Sequence, residues 1–95
     1  MPNQEHVLSF AVDKDGGQLF IHADAKGLQE LMRSLEEILE KLNQDQCDHD
    51  HLMSPLWGGT DLSEHTIEKD VQLIHHVKIC GWTKEWAQKH KLSEE

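Results

Sequence analysis

The chain has 95 residues, enough for one compact domain spanning 1–95 and too few for a second core. Against 9 basic residues stand 18 acidic ones, a net charge of −9, which repels the phosphates of nucleic acids and the headgroups of anionic lipid but suits a basic protein surface. No apolar run approaches the ~18–20 residues that cross a bilayer, and Met1-Pro2-Asn3-Gln4-Glu5 has neither the basic nor the apolar part of a signal peptide, so a cytoplasmic protein is expected.

At that size folding buries roughly 60–68% of the chain's surface, about one helix-on-sheet layer of core. Cys47 and Cys80 lie outside any CxxC spacing and read as reduced thiols.

In chain order, the first element is a strand over about 6–13, with Leu8, Phe10 and Val12 on one face and Val7, Ser9 and Ala11 on the other. Lys14-Asp15-Gly16-Gly17 supplies the positive φ of a tight turn. A second strand over about 18–23 therefore folds back antiparallel, with Leu19, Ile21 and Ala23 facing in. Asp24 can cap the helix that follows, over about 25–42. Along it Leu28, Leu31, Met32, Leu35, Ile38, Leu39 and Leu42 recur at three- and four-residue steps and form one stripe.

A short third strand is expected over 49–53, stopped by Pro55 and Gly58-Gly59. Residues 62–70 read as an irregular connection. A fourth strand over 71–80 carries Val71, Leu73, Val77 and Ile79 with His75 on one face, and Gln72, Ile74, His76 and Lys78 on the other. Thr83 caps a short C-terminal helix over about 84–91. The expected fold is α+β, ββαββ: a single-layer, mainly antiparallel four-stranded sheet covered by one long helix, with strand order open. The uncovered sheet face must be polar, shielded by the tail, or paired with a second copy. Phe20 and Ile74 on that face point to shielding or a homodimer.

Eight histidines is a high number for this length, and His49, His51, His75 and His76 fall on strands expected to be neighbours. His49 and His51 alternate and so point the same way. They could supply two zinc ligands, with His75 or His76 and an Asp completing a tetrahedron. The plainer reading is that these imidazoles bond to Asp48, Asp50 or backbone on a half-exposed sheet face; the third is a recognition surface without metal. Enzymatic chemistry lacks its supporting parts, since there is no Gly-x-Ser-x-Gly, no HExxH and no phosphate-cradling loop. Nothing in the sequence calls for a cofactor.

Trp57, beside Pro55 and the Gly58-Gly59 pair, is either the packed anchor of its loop or a contact residue of the kind favoured at binding hot spots. Cys80, before Gly81 and Trp82, reads as a strand-end core thiol. Nucleic-acid binding has only Lys84, Lys89, His90 and Lys91 in its favour, interleaved with Glu85 and followed by Glu94-Glu95. Membrane adsorption fails on the acidic outer face of the long helix.

Three segments carry a family resemblance: Asp24-Ala25-Lys26-Gly27-Leu28-Gln29-Glu30-Leu31, His51-Leu52-Met53-Ser54-Pro55-Leu56-Trp57-Gly58-Gly59-Thr60-Asp61-Leu62-Ser63, and Leu73-Ile74-His75-His76-Val77-Lys78-Ile79 running into Gly81-Trp82. Together, over roughly residues 6 to 82, they resemble the Imm32-type immunity proteins of bacterial polymorphic toxin systems. The Trp-Gly-Gly-x-x-Leu core is the most specific part. The resemblance implies a small cytosolic protein, not an enzyme, that binds a cognate toxin and blocks it. An acidic inhibitor would suit a basic nuclease. His51, Trp57, Asp61, His75 and His76 are the expected contact set, with Pro55, Gly58 and Gly59 shaping the loop. The competing class is a zinc protein built on His49, His51, His75 and His76.

Overall fold

The computed structural model describes residues 6–90. Its elements are β1 (Leu8–Asp13), β2 (Leu19–Ala23), α1 (Ala25–Leu42), β3 (Asp48–Met53), a 3-10 helix (Pro55–Trp57), β4 (Val71–Ile74), β5 (His76–Gly81) and α2 (Lys84–Lys89). Residue 91 of the expected tail helix lies outside the described residues.

The hairpin forms as its turn chemistry requires. Gly16 takes φ 73, and the Asp13 carboxylate accepts from the Gly17 and Gln18 amides. β1 then pairs antiparallel with β2 (Phe10 opposite Ile21) and on its other side with β4 (Phe10 opposite Ile74). β3 pairs antiparallel with β5, His51 opposite Lys78 and Met53 opposite His76. The fold is α+β, with antiparallel strands and one long helix. The single four-stranded sheet resolves into a three-stranded sheet, β2-β1-β4, and a two-stranded ribbon, β3-β5.

The division comes from a break at His75 in the expected fourth strand. Leu8, Phe10, Leu52 and Leu62 form the buried core, and Ile74, Val77 and Ile79 all pack against it. Residues three apart cannot share a face of an unbroken strand, whose side chains alternate with period two. The bend resets the phase. Ile74 therefore faces the core with Phe10, and Leu73 lies on the opposite face beside Ala11, the reverse of what simple alternation predicts.

Residues 61–63 join the two sheets. The Asp61 and Leu62 amides both donate to the Met53 carbonyl at 3.1 Å, and the Ser63 amide donates to the Leu8 carbonyl at 2.7 Å. Leu62 is 0% exposed, so part of the irregular connection is core. The far face of the three-stranded sheet, where Ser9 and Ala11 are buried, is approached by the same connection, with Glu68 Oε2 lying 3.0 Å from His22 Nε2.

Asp24 caps α1 by accepting from the Gly27 amide at 2.7 Å, and the same oxygen accepts from Val7 N–H at 3.1 Å, tying the helix start to the hairpin. These two backbone donors, Val7 foremost, hold the Asp24 carboxyl below its ordinary range. α1 starts against β1 and β2, where a Cβ on Gly27 would run into the Val7 carbonyl. Further along it covers the ribbon: Ser34 Oγ donates to Asp50 Oδ2 at 2.5 Å, and Ile38 lies over Gly81. The helix is rolled relative to the leucine stripe read from the sequence. Gly27, Ser34 and Ile38 are buried, while Leu28, Met32, Leu35 and Leu39 stay roughly half exposed. Small residues at 27 and 34 allow that close approach, because bulkier leucines would hold the backbone away from the sheet.

Candidate functional site: an imidazole and indole face

The inward face of the ribbon carries Asp50, Leu52, Val77 and Ile79 toward α1 and the core. Alternation sends His49, His51, Lys78 and Cys80 to the outward face, with His76 beside them at the start of β5. Cys80 is therefore exposed opposite His49, and the expectation of a core thiol is corrected.

The rings form a connected row. His49 meets His51 edge-on with centroids 5.0 Å apart, and His51 stacks on His76 at 5.0 Å. Trp57 follows at 5.7 Å from His76. His51 Nδ1 lies 2.7 Å from His76 Nε2, a hydrogen bond that requires a proton on one nitrogen and a free lone pair on the other. Desolvation by its neighbours, reinforced by His76, His49 and Lys78, pushes the His51 pKa below the ordinary imidazole value of 6.5. The His51 ring is thus favoured in its neutral form at neutral pH.

Trp57 is 58% exposed and Leu56 72%, so the indole is not sealed as a loop anchor. Its backbone, in contrast, is held firmly. The Trp57 and Gly59 amides both donate to the Ser54 carbonyl at 2.9 Å, and the Gly58 amide donates to Pro55 O. Pro55 opens the 3-10 turn, and Gly58 closes it at φ 85, a left-handed conformation suited to glycine. A Cβ at Gly59 would lie 2.5 Å from the Met53 carbonyl oxygen.

The expected contact residues separate into two groups. His51, Trp57 and His76 meet on the exposed face. Asp61 and His75 lie behind it: Asp61 Oδ2 accepts from the Met53 amide at 3.1 Å, and its carbonyl faces His6 Nε2 at 2.8 Å. His75, at the bend, puts Nδ1 2.8 Å from Ser54 Oγ and 3.8 Å from Glu64 Oε2. Glu64 in turn accepts from the Leu56 amide at 2.9 Å. Sequence reading missed Ser54, Leu56 and Glu64. Ser54 and Leu56 sit within the Trp-Gly-Gly segment, but no periodicity announces Glu64, which reaches the turn across a loop.

This serine, histidine and glutamate do not form a catalytic relay. Ser54 is 0% exposed, and both oxygens approach the same imidazole nitrogen, whereas a relay uses the two ring nitrogens separately. Nor are the four histidines of the zinc reading brought together, because His75 turns to Ser54. Among the described residues no group of three or more His, Cys, Asp or Glu side chains is arranged to hold a metal ion. An open depression elsewhere, lined by Glu37, Glu40, Lys41, Gln44 and Asp48, includes none of the histidines.

The fold and this face define a small α+β protein that presents its chemistry on an open surface. The family model described as Immunity protein 32 matches residues 18–77, more than half of the chain. The chain belongs to the Immunity protein 32 family. No curated protein and no solved structure matches it. No helix among the described residues is long and apolar enough to cross a membrane.

Proposed function

We propose that the chain is a cytoplasmic immunity protein that neutralises a cognate toxin by binding it through the His51, His76 and Trp57 face. Asp61 and His75 act in this site by holding the loop and the strand bend that present those rings, and Pro55, Gly58 and Gly59 shape the turn. The observation that carries the reading is Trp57: a large amphipathic side chain, more than half exposed on a backbone fixed by hydrogen bonds. Rigid exposed indoles beside other aromatic rings are typical binding anchors, because little conformational freedom is lost on docking. Family membership supports a toxin as the partner. The net charge of −9 favours a basic toxin, as a nuclease would be, and disfavours nucleic acid or an anionic membrane as the target. The protein works by occupancy, without catalysis or cofactor.

The test is titration calorimetry of the chain against the toxin domain encoded beside its gene. Trp57→Ala should weaken binding by about 2 kcal/mol or more, with the circular dichroism spectrum unchanged. Undiminished affinity for both Trp57→Ala and His76→Ala would remove this face from the interface. No binding by the parent chain would remove the toxin reading itself.

A further inference from the structure

In the three-stranded sheet β2 and β4 are the edge strands, and in the ribbon β3 and β5 both are; β2 and β3 are built differently. β3 carries Asp48, Asp50, His49 and His51. Charges on an edge strand, inward-pointing ones especially, guard against pairing with another chain. β2 reads Leu-Phe-Ile-His-Ala, with no Lys, Pro, Asp or Glu, and Leu19 and Ile21 are 56% and 47% exposed.

Backbone geometry shows what this edge can accept. The Asp13 amide donates to Gln18 O and the Asp24 amide to Val7 O, so the even-numbered residues of this strand turn their N–H and C=O toward β1. Leu19, Ile21 and Ala23 therefore turn theirs outward, and no strand among the described residues pairs with them. The three positions are symmetric about Ile21.

We infer that β2 is a homodimer interface in which two copies pair antiparallel across a two-fold axis at Ile21. Ile21 lies opposite its own copy, and Leu19 lies opposite Ala23 of the second chain. Every outward donor and acceptor is then satisfied, in about six main-chain hydrogen bonds. Leu19 and Ile21 bury their exposed surface, and Phe20 lies opposite His22 of the second chain on the other face. No acidic side chain of β2 meets another across the axis. Two molecules that each carry −9 repel one another, and β2 adds no acidic side chain of its own to that repulsion. The result is a continuous six-stranded sheet.

Sedimentation equilibrium of the full chain over a concentration series tests this. A monomer–dimer equilibrium is expected, shifted toward dimer by added salt, which screens the repulsion. Ile21→Lys places two ammonium groups face to face and should abolish the dimer. Leu39→Lys, equally exposed on α1, should leave it intact. Amide exchange provides a readout without substitution: Leu19, Ile21 and Ala23 should be protected at high concentration and lose that protection on dilution. A monomer at every concentration overturns the proposal. So does a dimer unaffected by Ile21→Lys, or protection of these three amides only when a toxin is added.

Discussion

Gly27 and His51 show how single positions hold this structure. In an isolated helix, alanine at 27 would be favoured over glycine by about 1 kcal/mol. Here the added Cβ collides with the Val7 carbonyl, a backbone atom that cannot rotate away. Gly27→Ala should therefore destabilise the fold by about 1–3 kcal/mol, reversing the intrinsic preference, as a lower urea midpoint would show. His51 makes stability depend on pH. Its pKa is depressed in the folded protein, so its contribution is fully present above the unfolded value of 6.5 and is lost as pH falls below it. Urea titrations from pH 8 to pH 5 should show declining stability that is flatter in His51→Gln. Toxin affinity should fall over the same range, because protonating His51 puts a positive charge into the proposed contact row.

Among the elements, the hairpin and the long helix were legible because each depends on local chemistry. Asp13, Gly16 and Gly17 make the turn, and Asp24 caps the helix, with no help from distant residues. The outward direction of His49 and His51 was equally legible, since alternation decides it once β3 is recognised. The break at His75 was not. It follows from Ile74 and Val77 sharing one core, a tertiary demand that simple alternation across 71–80 conceals. Leu62 escaped for a related reason: a lone leucine in a stretch rich in Ser, Glu and Thr has no period to reveal it, and long-range bonds such as those at Met53 and Leu8 draw it in. Leu62→Ala should cost about 2–5 kcal/mol, read from chemical denaturation, as for other fully buried leucines. Trp57 was recognised as notable, but its exposure depends on how Ser54 and Glu64 hold the turn.

At the scale of the whole molecule, charge governs how partners arrive. A chain of net charge −9 attracts a basic toxin over distances of about a Debye length. The association rate should therefore fall steeply as salt rises in stopped-flow measurements. The dissociation rate should change little, since the lowered pKa of His51 favours an uncharged ring in the proposed contact face. A salt-independent association rate would show that the toxin does not use this field.

The short stretch Asp61–Ser63 reaches the end of β3 on one side and the beginning of β1 on the other. A protein 43 Å long with a separate sheet and ribbon could melt in two stages, one half surviving the other. Here the same three residues would have to be released whichever half opened first, and Leu62 would leave a void in both. The histidine surface and the β2 edge, though built on different strands, are therefore gained or lost in a single cooperative event.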